Sequence, residues 1–177
     1  MNILDAIRTA PGEPEFHGAG FIKLNLDEAG TRQLHVWSPE LPPTIENGLI
    51  HDHTFTFKSE IVYGSILHEV YDELPGEGHS VWSPPPVVGG EWYRHESCEL
   101  VQMGAYMMGA GSNYAFPSGK FHQIKSHGAV TIMEKMARVE GLPRIASDWP
   151  GPPEDAFGNK VSVSDMWRVI FTSVMGR

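Results

Sequence analysis

Two histidines separated by a single residue, His51 and His53, are the side chains whose type and spacing most directly suggest chemistry. They lie in "GLIHDHTFTFKSEIVYGSI", a run rich in β-branched and aromatic residues that alternates as a β-strand does. Side chains two residues apart on a strand point to the same face, here also that of Phe55 and Phe57. A buried polar group without a partner costs roughly 1–3 kcal/mol, and a metal ion would satisfy both imidazoles.

A third histidine comes from "GSNYAFPSGKFH", in which Pro117 and Gly119 precede His122. Glycine and proline favour a turn that would bring His122 inward. Three imidazoles can hold Fe, Ni, Cu, Zn or Mn and leave coordination positions open. An H-x-H pair alone is weak evidence for a metal, so the prediction depends on His122 joining His51 and His53.

Short strand candidates with frequent glycine and proline between them indicate a β-sandwich or barrel. "EIVYGSILHEVY" predicts two strands hinged at Gly64–Ser65, and residues 75–92, with four prolines and four glycines, predict a loop. Residues 2–9 predict a short helix. The tail predicts a second helix with Ser164 as its cap. Its inward face would consist of Met166, Val169, Ile170 and Val174.

Composition limits the function further. The chain has 177 residues and a formal net charge of -9, which argues against a general nucleic-acid binder. Its single cysteine, Cys98, excludes an intramolecular disulfide. The sequence contains no run of 18 apolar residues, so no membrane span is predicted. Its first residues lack the apolar core that is typical of a signal peptide. We therefore expect a cytoplasmic protein without membrane or nucleic-acid partners.

The two histidine motifs, about 60 residues apart and in this order, resemble those of the cupin superfamily. "LHVWSPELPPTIENGLIHDHT", "NYAFPSGKFHQI" and "SHGAV" are similar to segments of its cysteine dioxygenase group, over roughly residues 20–135. The resemblance implies an all-β, single-domain jelly-roll barrel (double-stranded β-helix) with short flanking helices. The barrel core would span about 18–140 and a C-terminal extension 141–177.

The same resemblance implies a metal site at His51, His53 and His122, with Fe(II) as the first expectation and Zn, Ni or Mn as alternatives. It also implies a small-molecule substrate, O₂ and, by analogy, a homodimer. The glutamate usual in the first cupin motif is replaced by Phe57. A set of three histidines without a carboxylate is the arrangement found in thiol dioxygenases.

The substrate machinery of those enzymes is not matched. Thiol dioxygenases carry a Ser-His-Tyr set at the positions that are occupied here by Thr131, Met133 and Lys135. The arginine with which those enzymes bind the substrate carboxylate falls near Lys23 in this sequence. Lysine is a weaker, non-bidentate substitute. We therefore expect a distant relative with another substrate rather than a cysteine dioxygenase.

Other candidates each have an ordinary structural alternative. His68 could face inward as a group that orients a ligand or moves a proton, or be a histidine at the edge of the core. Tyr114 could reach metal or substrate, or be a packed aromatic. Arg94, on a strand candidate, could line a pocket or be a surface residue. With Lys23 and Phe57, Arg94 completes the predicted substrate-binding set, and His68 and Tyr114 are the predicted catalytic pair.

Three functions remain open from the sequence. The first is oxygen-dependent oxidation of a small molecule by a mononuclear Fe(II) cupin. The second is a Zn, Ni or Mn cupin acting as an isomerase, lyase or hydrolase. The third is a cupin that binds a small molecule without catalysis.

Overall fold

The protein folds as a mostly antiparallel β-structure with a few short helices, which confirms the predicted all-β class. The computed structural model describes residues 2–42, 49–85, 87, 90–126, 128–153 and 161–176. The elements are α1 (Ile3–Arg8), β1 (Glu15–His17), β2 (Phe21–Asn25), β3 (Arg32–Trp37), β4 (Ile50–His51), β5 (Phe55–Ser83), β6 (Tyr93–Arg94), β7 (Cys98–Gly109), β8 (Asn113–Phe116), β9 (Phe121–Lys125), β10 (Ala129–Arg138), β11 (Ile145–Ser147) and α2 (Val163–Met175).

The strands form two groups that share the long strand β5. In the first group the order is β1, β2, β3, β10, β5, with β8 on the other side of β5. In the second group β5 lies between β7 and β9, and β4 lies between β9 and β11. Strand β11 also pairs with the end of β5, as does β6. The short strand β4, which carries the first histidine, is therefore flanked on both sides.

Strand β5 changes from one group to the other at Gly64. Gly64 is still opposite Ala129 of β10, whereas Ser65 is already opposite Gly109 of β7. The predicted hinge is therefore present, but as a corner within one continuous strand. Gly64 has φ of 70°, and an added Cβ would lie 1.9 Å from the carbonyl oxygen of Gly128. Only glycine fits this corner.

The prediction that residues 75–92 form a loop was wrong for its first half. Strand β5 continues to Ser83, with an irregularity between Pro75 and His79, both of which lie opposite Cys98. The neighbouring strand β7 supplies a ladder partner, and proline is tolerated at such a bulge. Residues 84–92 form only irregular structure where they are described; Pro86, Val88 and Gly89 lie outside the described residues.

Both helices pack on the outer face of the first group of strands. In β2, Ile22 and Leu24 are fully buried in the core cluster that contains the helix residues Ile7 and Ile170. The predicted inward face of α2 is confirmed, with Met166, Val169, Ile170 and Val174 buried. Its predicted cap was wrong by two residues.

Ser162, not Ser164, is the N-cap of α2, because the Ser162 side chain accepts a hydrogen bond from the backbone N–H of Asp165. Both serines are suitable capping residues, so residue type alone did not separate them. Neither described helix has the length and apolar character needed to cross a membrane.

Candidate metal centre

Three histidines from two neighbouring strands converge on one point. His51 ends β4, His53 follows two residues later, and His122 lies in β9 directly opposite His51. The ring centroids are 4.7 Å apart for His51 and His122, 4.8 Å for His51 and His53, and 5.1 Å for His53 and His122. One ligand atom from each ring lies within 4.8 Å of the others. The chain leaves regular strand geometry after His51, yet both imidazoles project to the same side as predicted.

The hydrogen bonds of the rings select the nitrogen that each would offer to a metal. The His51 Nδ1–H donates to the carbonyl oxygen of Leu49 at 2.8 Å, which leaves its Nε2 lone pair free. The Nε2 atoms of His53 and His122 are 3.1 Å apart. His122 Nδ1 lies 2.9 Å from Nε2 of His68, so a proton on His122 Nδ1 would be donated to His68. All three rings can thus present Nε2 to one point.

The protonation state of the cluster suits metal binding. Burial lowers the pKa of His51, and it lowers the pKa of His53 and His122 well below the ordinary value; repulsion from neighbouring histidines adds to the effect in the last two. Neutral imidazole is the form that binds metals. The three ligand atoms lie within 4.8 Å of one another. Two metal–nitrogen bonds of about 2.1 Å span at most about 4.2 Å, so the rings would move together by up to roughly half an ångström to bind one ion. The donor set fits a divalent transition metal.

The position that a carboxylate ligand would take is apolar. Phe57 is buried, and its ring lies 5.3 Å from that of His53 and 5.8 Å from that of His122. Glu60, the next carboxylate along β5, is exposed. Within the part of the chain that the structure describes, the cluster contains three histidines and no carboxylate.

A buried ion pair fixes the segment between the two first histidines. Asp52, whose side chain is 5% exposed, accepts hydrogen bonds from the backbone N–H and the Nε–H of Arg144 at 2.6 and 2.7 Å. In return, the Asp52 N–H donates to the Arg144 carbonyl oxygen at 2.9 Å. Asp52 therefore points away from the metal cluster and ties its strand to the start of β11.

The same guanidinium reaches the other ligand strand. Arg144 Nη1 donates to both carboxylate oxygens of Glu73 at 3.0 Å, and Nη2 donates to the Gly119 carbonyl oxygen at 3.4 Å. The guanidinium carbon lies 4.6 Å from the ring centre of Phe121, the residue before His122. The Gly119 N–H in turn donates to the carbonyl oxygen of His53 at 2.9 Å. Arg144 thus links the segments that carry all three ligands.

The cluster opens into a cavity of about 270 Å³. One wall, from β2, β3 and β10, is largely polar. Its main polar residues are Lys23, Gln33, His35, Thr131 and Lys135. Aromatic parts of the lining come from β5 and β8 and also from β2 and β3. Their main aromatic residues are Phe21, Trp37, Phe55, Phe57 and Tyr114. A site of this kind can bind a small molecule with an apolar body and a few polar groups.

The structure brings most of the sequence-predicted site residues together. Lys23, Phe57 and Tyr114 line the cavity. Burial raises the pKa of Tyr114 to about 12, so its phenol keeps its proton. His68 is buried behind His122 and is not part of the cavity lining. Arg94 is exposed on β6, with its guanidinium 5.7 Å from the Trp82 ring centre, and lines a separate acidic groove instead.

Several residues of the site were missed from the sequence. His35 and Gln33 alternate on β3 and face the cavity, and His17 lines it from β1. Two polar residues two positions apart, among the apolar residues of β3, were the available signal for this pair. Asp52 and Arg144 are 92 residues apart, and no local pattern connects them. An acidic residue between two inward-facing histidines was the only hint of their pairing.

Comparisons with known proteins give weak similarities. No protein-family model and no curated protein sequence matches the chain. Hydroquinone 1,2-dioxygenase PnpCD, solved with Cd2+ and 4-hydroxybenzonitrile, aligns over 77% of this chain and 71% of its own, with 12% identity and a TM-score of 0.42. Protein NMB1881 from Neisseria meningitidis aligns over 77% of this chain and 98% of its own, with 12% identity and a TM-score of 0.33. Similarities at this level do not define a family or a function.

Proposed function

We propose that this chain is a mononuclear metal-dependent cupin that uses Fe(II) and O₂ to oxidise a small organic molecule. The observation that carries the proposal is the convergence of His51, His53 and His122, without a carboxylate, beside a cavity of about 270 Å³. Three ligands leave coordination positions open for substrate and oxygen. When bound, the metal supplies oxygen activation and a template for the substrate. The resemblance of the histidine motifs to cysteine dioxygenases supports the same reaction type, with a different substrate.

The chain's own residues would provide orientation and exclude water. Tyr114 retains its hydroxyl proton and can donate a hydrogen bond to a substrate in the cavity. Phe57 covers the side of the cluster where a fourth protein ligand would stand and keeps it apolar. His68 holds the orientation of the His122 ring through its contact with Nδ1. Its place behind His122 suits this positioning role better than direct proton transfer to a substrate.

The first test is the metal content of the purified protein by inductively coupled plasma mass spectrometry. We expect near-stoichiometric iron, lost in the His51→Ala/His122→Ala double variant. His79→Ala is the matched control, because His79 pairs with Asp148 and is not part of the cluster. Oxygen consumption with thiols, phenols and small acids should then depend on Fe(II) and disappear in His122→Ala. Metal-loaded protein without turnover across these classes would contradict the oxidative function.

A non-oxidative metal enzyme is the second candidate, since three neutral imidazoles with open positions also suit Zn²⁺. Zinc at full occupancy in protein purified without added metal would favour an isomerase, lyase or hydrolase. A bound small molecule without turnover under either metal would favour a binding module.

We also propose that the chain forms a homodimer through β7. Among the described residues β7 pairs only with β5, so its outer edge is open, and Met103, Tyr106 and Met107 are more than half exposed. The stretch from Leu100 to Gly109 contains no charged residue. Antiparallel pairing with a second copy would therefore bring no like charges together in this acidic protein. Light scattering after size exclusion should give a dimer mass, reduced to a monomer in Met107→Lys.

A further inference from the structure

The polar wall of the cavity carries a cation that the metal site does not use. Lys135 lies on β10, on the same strand face as Thr131 and Met133, and all three line the cavity. Its Nζ is 5.2 Å from the ring centre of Phe55. The Phe55 ring is in turn 4.8 Å from that of His53. One aromatic ring therefore separates the ammonium group from a metal ligand.

Lys135 forms no ion pair with any residue that the structure describes, in contrast to the other two cations of the lining. Lys23 Nζ is 2.7 Å from Glu15, and Arg144 is held by Asp52 and Glu73. The contrast is informative in a chain of net charge -9, where carboxylates are plentiful.

The acidic groups that act on Lys135 at longer range are already engaged. Asp27 accepts hydrogen bonds from Thr31 and from the backbone N–H of Arg32, and Glu15 is bound to Lys23. Burial lowers the pKa of Lys135, and repulsion from Lys23 lowers it further. The protein thus places a partly desolvated cation in its cavity without an anionic partner among the described residues, and a bound anion would offset that cost.

The space beside this cation is lined mainly by apolar side chains. Phe55 and Phe57 form one side, and Met133 and Trp37 also contribute to the lining. An engineered apolar cavity of about 150 Å³ is enough to hold benzene. At about 270 Å³, this cavity has room for one ring with substituents.

We propose that the cavity binds a single-ring aromatic carboxylate, with the carboxylate on Lys135, the ring against Phe55 and Phe57, and the opposite edge toward the three histidines. This deepens the proposed function and rests on it, because the metal site is where the bound ring would react. It also assigns the anion-binding role to Lys135 instead of Lys23, whose charge Glu15 already neutralises.

The test compares benzoate with benzamide, two molecules of nearly the same shape of which only one is charged. Binding is measured by isothermal titration calorimetry on the metal-free and the zinc-loaded protein, so no turnover is needed. We expect benzoate to bind more tightly than benzamide. Lys135→Met should weaken the binding of benzoate at least tenfold and change the binding of benzamide by less than twofold. Lys23→Met removes the other lysine of the lining and should weaken benzoate binding less than Lys135→Met does. Lys125→Met, whose lysine is paired with Glu69 outside the lining, is the matched control and should change benzoate binding by less than twofold. Circular dichroism of each variant checks that it is folded.

The outcomes separate this proposal from the proposed function. Equal binding of benzoate and benzamide, or an equal loss in Lys23→Met and Lys135→Met, would overturn the assignment to Lys135. If benzoate binding requires zinc and is unchanged in Lys135→Met, the carboxylate binds the metal, and the assignment to Lys135 is overturned as well. Charge-selective binding that depends on Lys135, in a protein that never consumes oxygen, would support the site while the oxidative function fails. Oxygen consumption that Lys135→Met leaves unchanged would support the function and overturn the site.

Discussion

Arg144 offers the most informative single substitution, because one guanidinium contacts the segments that carry all three candidate ligands. In Arg144→Met the side chain keeps much of its apolar length against Phe121 but loses every hydrogen bond of the guanidinium. Asp52 would then be a buried carboxylate between His51 and His53 without its ionic partner. We expect both a loss of stability and a loss of metal affinity.

The size of each loss follows from the contacts. Removing one partner of a buried ion pair costs about 3–5 kcal/mol. Asp52 would keep the backbone N–H of residue 144, now 2.6 Å from its Oδ1, so we expect the lower end, about 3 kcal/mol. Groups that orient metal ligands without touching the metal typically contribute about 10–100-fold to affinity. We expect zinc to bind Arg144→Met within that range more weakly than wild type.

Urea denaturation of the metal-free protein and zinc titration against a competing chromophoric chelator measure the two effects separately. Arg168→Met is the matched control: Arg168 also pairs with a carboxylate, Glu40, but on the exposed surface, and its loss should change neither quantity measurably. Asp52→Asn in the Arg144→Met background should recover part of the stability, since the unpaired charge is gone. If Arg144→Met binds zinc as tightly as wild type, the link from Arg144 to the ligand geometry is refuted, whatever happens to stability.

Three further results are expected. Gly64→Ala should destabilise the protein by more than about 3 kcal/mol in urea denaturation, because φ is 70° and the new Cβ would meet a backbone carbonyl at 1.9 Å; Gly109→Ala, with open space around it, should be nearly neutral. Phe57→Glu should raise zinc affinity at least tenfold in the chelator assay by adding a carboxylate ligand, and unchanged affinity would show that residue 57 does not face the ligand atoms. Burial lowers the pKa of His17 to about 3 and of His68 to about 4, so below pH 6.5 the unfolded chain takes up protons that the folded state does not. The unfolding free energy of metal-free protein should therefore fall from pH 6.5 toward pH 4, by at most about 1.4 kcal/mol per pH unit and group; a flat profile would contradict it.

Local alternation and short motifs were enough to predict much of the site. In β2 the structure follows a period-two pattern, with Phe21 and Lys23 lining the cavity and Ile22 and Leu24 buried in the core. The spacing of the histidines predicted the cluster because strand geometry makes residues i and i+2 neighbours. These features depend on only a few adjacent residues.

Features set by distant contacts could not be predicted. Residues 75–83 contain proline and glycine, and only ladder partners from distant parts of the chain, β7, β6 and β11, make them a strand. Arg94 was a reasonable candidate by residue type, but the path of β6 places it outside the cavity. The partner of Asp52 lies 92 residues later in the chain, and the unpaired state of Lys135 depends on where every nearby carboxylate finds its own partner.

The position of β4 between β9 and β11 has a consequence for folding during synthesis. His51 is opposite His122 on one side and Ile145 on the other, so both neighbours of β4 are made long after it. Closing such long loops is entropically costly and slows folding. The three histidines therefore cannot meet in their final geometry until the chain has been extended past Ser147 and β11 has docked. A metal ion that binds only this geometry would then report that folding is complete, and a ribosome-bound chain ending before residue 145 should fail to bind it.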